Sequence, residues 1–410
     1  MTAPVLDPPV LEGRLAALLA RSGLAPLRLA GRTLLPLVQG GMGVGVSAHR
    51  LAGAVAAEGG VGTISSVDLR HHHPDLMERT RKLPPGDAAK QAIDAANLEA
   101  ISREIAAARE VSGGRGLLAI NVMRAVNAYA ASVKQALEAG IDAVVVGAGL
   151  PLDLPDLAQD HPRAALVPIL SDARGVQLVV KKWERKKRLP DAIVIEHPRL
   201  AGGHLGAARI ADLNDPRFEF ENVIPQSLAF LRTAGIEREI PLIAAGGIRS
   251  CEDIARVQSL GAAAAQLGTP FAVTQECDAH PEFKRVLAEA RDDEMVELTS
   301  VAGLPARAVA TRWMRSYLRM DEKLQSVARK RACMMSFDCL AQCGLRDGTP
   351  GWGQFCIDHQ LVAALQGNVK MGLFFRGVGA LPFGSQIRSV RELIERLLTP
   401  NSTPAAPLPA

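Results

Sequence analysis

Aromatic residues are scarce: Phe, Trp and Tyr make up 4% of the 410 residues, and only two are Tyr. Hydrophobic residues still reach 48%, so a large core must be packed from small aliphatic side chains, as in α/β proteins. No charge sign dominates. Lys and Arg number 47 against 43 Asp and Glu, for a formal net charge of +4. That falls well short of a nucleic-acid binder. No run of eighteen apolar residues occurs, so no membrane-spanning helix is expected. The N-terminus lacks a basic region followed by an unbroken apolar stretch, and Asp7 and Glu12 punctuate it. A secretory leader is therefore not expected, and the chain is expected in the cytoplasm. Cysteines are few as well, six in all, yet four fall between Cys333 and Cys356. Disulfides are rare in a reducing compartment, so clustered thiols point towards metal binding or catalysis.

Short apolar runs recur, with helix-like stretches between them. They are LLPLVQGG (34–41), GVGTISS (60–66), GLLAINVM (116–123), DAVVVGAG (142–149), AALVPILSD (164–172), DAIVIEHP (191–198), IPLIAAGG (240–247) and AAAAQLGTPF (262–271). None alternates with polar residues, which marks strands buried on both faces of a parallel sheet. Strand and helix alternating eight times predicts an α/β fold, a (β/α)8 TIM barrel. A helical insertion at about 67–114 delays the third strand. The division read from this pattern is an N-terminal segment (1–32), a barrel (33–275), a C-terminal helical and cysteine-containing segment (276–398) and a disordered tail (399–410). Within the C-terminal segment, residues 280–330 read as helical.

Three strand ends carry glycine pairs, in QGGMGVG (39–45), AGGH (201–204) and AAGGI (244–248), and QLGTPF ends the eighth strand. Loops after the seventh and eighth strands of a barrel commonly cradle a phosphate with backbone N–H groups, and glycine permits the close approach. The plainer alternative is tight turns alone. A Rossmann reading of GGMGVG with Asp68 fails the G-x-G-x-x-G spacing. His204 follows the sixth strand, on the same face, and can exchange a proton near neutral pH. The triple His71–His73 lies in the insertion before a proline and reads as a solvated loop rather than a metal site.

The motifs PLVQGGMG, AINVM, AGGHLG, PLIAAGGI and QLGTPF, in this order, resemble those of the nitronate monooxygenase (2-nitropropane dioxygenase-like) superfamily of FMN-dependent barrels. The resemblance covers roughly residues 33–310. It implies that Gly41 and Met42 lie against the flavin. Asn121, Gly202, Gly203, Gly246, Gly247, Gln266, Gly268 and Thr269 would hold FMN and its phosphate, and His204 would be the active-site base. The typical short members lack the C-terminal cysteines. A longer subgroup, resembled through the cysteine set and FCIDHQLVAALQGN, carries FMN and a [4Fe–4S] cluster. Its members act on chains borne by acyl carrier protein, forming trans-2- and then cis-3-enoyl thioesters for unsaturated fatty acid synthesis.

The cysteine spacing is C-x5-C-x3-C-x12-C, with only one close pair where structural zinc sites usually have two. Cys333, Cys339, Cys343 and Cys356 are expected to ligate a [4Fe–4S] cluster. Zinc and no metal at all are the alternatives. Cys251 and Cys277 are expected to be ordinary buried thiols. The basic run KKWERKKR supplies Lys181, Lys182, Arg185, Lys186, Lys187 and Arg188, which near the active-site mouth would steer an acidic carrier protein. A solvated helix face is the alternative. Rival functions are nitronate oxidation with dioxygen as electron acceptor, NAD(P)H-dependent enoyl or quinone reduction, and a cofactor-bearing sensor without turnover. A homo-oligomer is compatible with the sequence.

Overall fold

The computed structural model describes residues 13–335 and 337–400. The expected tail beyond residue 400 lies outside them. Eight parallel strands close into a barrel: β1 (Leu37–Gln39), β2 (Val61–Ser65), β3 (Leu117–Met123), β4 (Ala143–Gly147), β5 (Ala165–Leu170), β6 (Ile193–Glu196), β7 (Leu242–Ala245) and β8 (Ala264–Leu267). β8 pairs back onto β1, with Gln266 beside Val38. Each strand lies within one of the eight apolar runs. The closed parallel barrel excludes a Rossmann sheet.

The strands' two-residue period sorts their side chains. Val38, Ala119, Val145, Val167, Val194 and Ile243 fill the barrel interior. Their alternates, such as Ile120, Val144, Ile193 and Ile195, join the outer core under the helices. A short hairpin, Leu27–Leu29 with Arg32–Leu34, adds Leu27, Leu29 and Leu34 to the interior cluster. It plugs the end at which the strands begin. The other end, where the strands finish, is left open for chemistry.

The insertion between β2 and β3 is dominated by the helix Asp87–Ser112, which packs on the helix His49–Ala57. The histidine triple within it is not a solvated loop. His71 Nε2 lies 3.0 Å from Asp68, and His73 Nε2 lies 3.0 Å from the buried Glu104. His72 Nε2 lies 2.8 Å from the Gly45 carbonyl, bracing the glycine loop after β1. His72 and His73 are fixed by partners the local sequence does not show.

The C-terminal segment departs from its helical expectation. A helix does form over Pro281–Glu289, but Met295–Thr299 (β9) and Pro305–Val309 (β10) make an antiparallel hairpin. β10 also pairs with Gly203–His204, so the loop after β6 becomes the third strand of a small sheet. That partner lies about a hundred residues earlier, and β-structure here is dictated by tertiary pairing. Buried Arg307 strengthens the join, donating to the Ala201 carbonyl at 2.6 Å and pairing with Glu297. Beyond it come the helix Arg312–Leu318, the cysteine segment, the helix Ile357–Leu365 and a last helix, Val390–Leu397. Among the described residues no helix is long and apolar enough to cross a membrane.

Candidate active site

The open end of the barrel holds a cavity of about 280 Å³. The residues expected to meet a flavin all line it. Gly41 and Met42 come from the loop after β1, and Asn121 from β3. Gly202, Gly203 and His204 come from the loop after β6; Gly246 and Gly247 follow β7; Gln266, Gly268 and Thr269 come from β8 and the turn beyond.

Close packing explains the glycines. A Cβ on Gly41 would overlap the Asn121 side chain. Gly247 has φ of +72°, and a Cβ there would come within 2.8 Å of Leu200. A Cβ on Gly202 would overlap the backbone of Arg376 and Gly377. That last contact exposes an element the sequence reading missed. The stretch Phe375–Gly379 crosses back over the barrel mouth and lines the cavity. Its Gly377 N–H donates to Thr269 Oγ1 at 3.0 Å, leaving the Thr269 hydroxyl proton free for an anion. Arg249, two residues beyond the β7 glycines, also lines the cavity and lies against Gly379. Backbone N–H groups, a hydroxyl and a guanidinium thus converge beside β7 and β8, and that donor set fits the phosphate of FMN.

His204 is fixed by the small sheet, with its Cα paired to that of Ala306. Its Nε2 lies 2.9 Å from Ser300 Oγ in the turn between β9 and β10, and Phe375 packs against its ring at 5.7 Å. Burial holds its pKa down at about 4, so the imidazole is neutral at pH 7. Ser300 was invisible to the sequence reading because its hairpin read as helix. Glu196, at the end of β6, lines the same cavity, and burial pushes its pKa up to about 7. It was missed although a signal existed: two residues after inward-facing Val194, it must face inward too.

The cysteine segment lies on the cavity rim. The Cys339 carbonyl accepts from Asn127 N at 3.2 Å, Ala341 N donates to the Ala125 carbonyl at 3.0 Å, and Leu340 bridges to Val126. Gly344 N and Gly353 N donate to the carbonyls of Val301 and Ser300, so this segment also props the turn that holds His204. Cys339 lines the cavity. Burial raises its pKa well above the usual thiol value, and the charges of Asp358, Cys356, Cys343 and Cys333 raise it further. Burial likewise pushes Cys356 up to about 11, helped by Asp358, Cys333 and Cys343. Both raised values keep the Cys339 and Cys356 thiols neutral near pH 7. Among the described residues, though, no three His, Cys, Asp or Glu side chains converge closely enough to hold a single metal ion. Cys251 and Cys277 are buried and free.

The basic run lies elsewhere. The helix Ala173–Glu184 starts after β5 at the cavity rim and carries Lys181 and Lys182 at its far end. Arg188 donates to the Ala164 carbonyl, just before β5 begins, and pairs with Asp191 ahead of β6. Lys186 pairs with Asp156. The run therefore lies towards the rim opposite the cavity, not at its mouth, because barrel helices run antiparallel to their strands.

With this geometry in view, the comparisons with known proteins are informative. Residues 30–400 match the family model "Nitronate monooxygenase". A probable nitronate monooxygenase of Bacillus subtilis is 25% identical over 301 residues, 68% of this chain and 77% of that one. A Mycobacterium tuberculosis protein, (3aS,4S,5R,7aS)-5-hydroxy-7a-methyl-1-oxo-octahydro-1H-indene-4-carboxyl-CoA dehydrogenase, is 27% identical over 296 residues, 72% and 67% of the two chains. The solved structure of FabK from Thermotoga maritima superposes with a TM-score of 0.60 at 20% identity, covering 95% of this chain and 96% of that one, and supports the fold. The chain belongs to the nitronate monooxygenase family and is an FMN-dependent oxidoreductase of that superfamily.

Proposed function

We propose that this enzyme oxidises acyl thioesters, taking a saturated chain to the trans-2-enoyl form and then shifting the double bond to cis-3. The observation that carries this reading is a neutral, half-buried His204 on a cavity whose remaining wall is largely apolar, with Met123, Ile357, Leu361, Leu373 and Leu381 along it. A relative named as a carboxyl-CoA dehydrogenase supports a thioester substrate.

Gly41, Met42 and Asn121 would hold the flavin ring, and Gly246, Gly247, Gly268 and Thr269 its phosphate. FMN, when bound, supplies a two-electron acceptor for the hydride that leaves the β-carbon. His204 takes the α-proton. Base action requires its Nδ1 lone pair to face the substrate, with Nε2–H donating to Ser300 Oγ. The apolar wall receives the acyl chain and excludes water.

Cys333, Cys339, Cys343 and Cys356 would hold a [4Fe–4S] cluster. A cluster takes one cysteine sulfur on each iron, so the four sulfurs need not converge on a single ion. Acyl carrier protein is the proposed bearer of the chain. Its docking surface belongs at the cavity mouth, since a carrier bound at Lys181–Arg188 would sit towards the opposite rim.

The test is turnover on two substrate classes with protein purified without oxygen. Decanoyl thioesters should bleach the flavin and yield enoyl products. Alkyl nitronates consumed with dioxygen, and no thioester reaction, would establish the second reading, which the Bacillus subtilis relative's name favours. Iron and acid-labile sulfide should each approach about four per FMN and be lost in Cys339→Ser. FMN without iron in the unmutated protein would remove the cluster from the proposal.

The pH profile gives an independent check on His204. Its free imidazole persists down to about pH 4, so the acid limb of kcat due to this base should fall there rather than near 6.5. The linked stability runs the same way. The unfolded chain binds this proton near pH 6.5 and the folded chain near 4, so stability falls as pH drops across that window. Urea melts of the wild type and His204→Gln at pH 7 and 5 measure it, and equal pH sensitivity of the two would contradict the low value.

A further inference from the structure

We propose that Glu196 is a second proton-transferring residue of this site, acting at the γ-carbon of the enoyl chain while His204 acts at the α-carbon. The inference rests on the acyl-thioester reading above.

The placement carries it. Glu196 ends β6 on the inward-facing side and lines the cavity that His204 also lines. The loop carrying His204 closes over it: a Cβ on Gly206, two residues past His204, would overlap Ser171 Oγ and come within 3.6 Å of Glu196 Oε2. The strand neighbour across from it is Ala245, which is not ionisable. Among the described residues no cation pairs with the carboxyl, and burial is the whole cause of its raised pKa. Carboxyls with a raised pKa and no cation partner, lining a cavity, concentrate where protons are moved. Two titratable groups in one cavity, one held neutral as a base and one poised near neutrality, is the pattern of divided acid–base work.

The step is redox-neutral. The Glu196 carboxylate accepts a proton from Cγ as the Cγ–H electron pair forms the Cβ=Cγ double bond. The former Cα=Cβ pair takes a proton at Cα from the imidazolium that His204 became in the oxidation. His204 is thereby reset without releasing a proton through an apolar wall, and the proton leaving the substrate departs from Glu196.

The experiment uses FMN-loaded enzyme in deuterated buffer with a cis-3-decenoyl thioester, reading deuterium at Cα and Cγ by mass spectrometry. On the same sample, decanoyl thioester is used to measure flavin reduction. In Glu196→Gln the ratio of Cγ exchange to flavin reduction should fall at least about 10²-fold, the ordinary reach of a positioned base, and trans-2-enoyl product should accumulate. Glu196→Asp, which keeps a carboxyl, should restore part of that ratio and covers the case in which the Gln variant fails to fold. The flavin spectrum of the wild type should titrate near pH 7, and that of Glu196→Gln should not. An unchanged exchange ratio in Glu196→Gln would overturn the proposal. If the wild type neither reduces its flavin with thioester nor exchanges, the acyl reading itself fails and takes this one with it, whether or not the titration near pH 7 is seen.

Discussion

Replacing His204 with alanine should lower turnover about 10²- to 10⁴-fold while FMN stays bound. The magnitude is that of removing a positioned proton acceptor from a transition state. Cofactor retention is expected because the donors proposed to hold the phosphate, at Gly246, Gly268, Thr269 and Arg249, lie on other loops. The histidine is anchored through its backbone pairing with β10 and through Ser300, so truncating the imidazole leaves the sheet intact. His204→Gln sharpens the test, because a glutamine can still reach Ser300 but cannot accept the proton. Turnover within tenfold of wild type in both variants would move the base to another residue. Flavin content and stopped-flow reduction on one preparation separate that outcome from simple loss of cofactor.

Gly202→Val should abolish retention of FMN through purification. The would-be Cβ meets main-chain atoms of Arg376 and Gly377, which cannot rotate aside as a side chain would. The crossing stretch must shift outward, taking the Gly377 N–H from Thr269 Oγ1 and moving Gly379 away from Arg249. Thr269 Oγ1 and Arg249 would then lose the neighbours that aim them at the phosphate, and two charge-assisted contacts are worth about 3–6 kcal/mol, a fall in affinity of 10² or more. The circular dichroism of the barrel should change little, since its strands are untouched. A variant retaining stoichiometric FMN would show that Phe375–Gly379 is not part of the cofactor site.

The barrel was legible because each strand is a short apolar run bounded by glycine or a charged turn, and because burial on both faces leaves no competing period. The glycine pairs and His204 were legible for a related reason: their positions after strands six, seven and eight specify one face of the molecule. What could not be read depends on distant partners. Met295–Thr299 and Pro305–Val309 carry no strong local strand signal, and their third strand, Gly203–His204, is two residues long. Ser300 was lost with them. The histidine triple was misjudged because Glu104 and the Gly45 carbonyl reach His73 and His72 from elsewhere in the fold. Which rim the basic run occupies could not be read, because charge density in a sequence carries no direction along the barrel axis. Glu196 differs from all of these. Its inward orientation follows from the two-residue period of β6, and only the apparent continuity of IVIEHP hid it.

The return of Phe375–Gly379 across the mouth also sets an order of events during synthesis. Asn121 emerges from the ribosome roughly 260 residues before Gly379, and the early glycine loop earlier still. At about 5–20 residues per second, that interval is some 13–50 s. Through most of its first half β7 and β8 are still to come, and even after Thr269 has been made its hydroxyl lacks the Gly377 N–H. FMN capture is therefore expected only once Gly379 has been made, and the nascent barrel must persist as an apoprotein until then. Flavin supply would then govern how much finished chain matures, with little influence on how the barrel itself begins to fold.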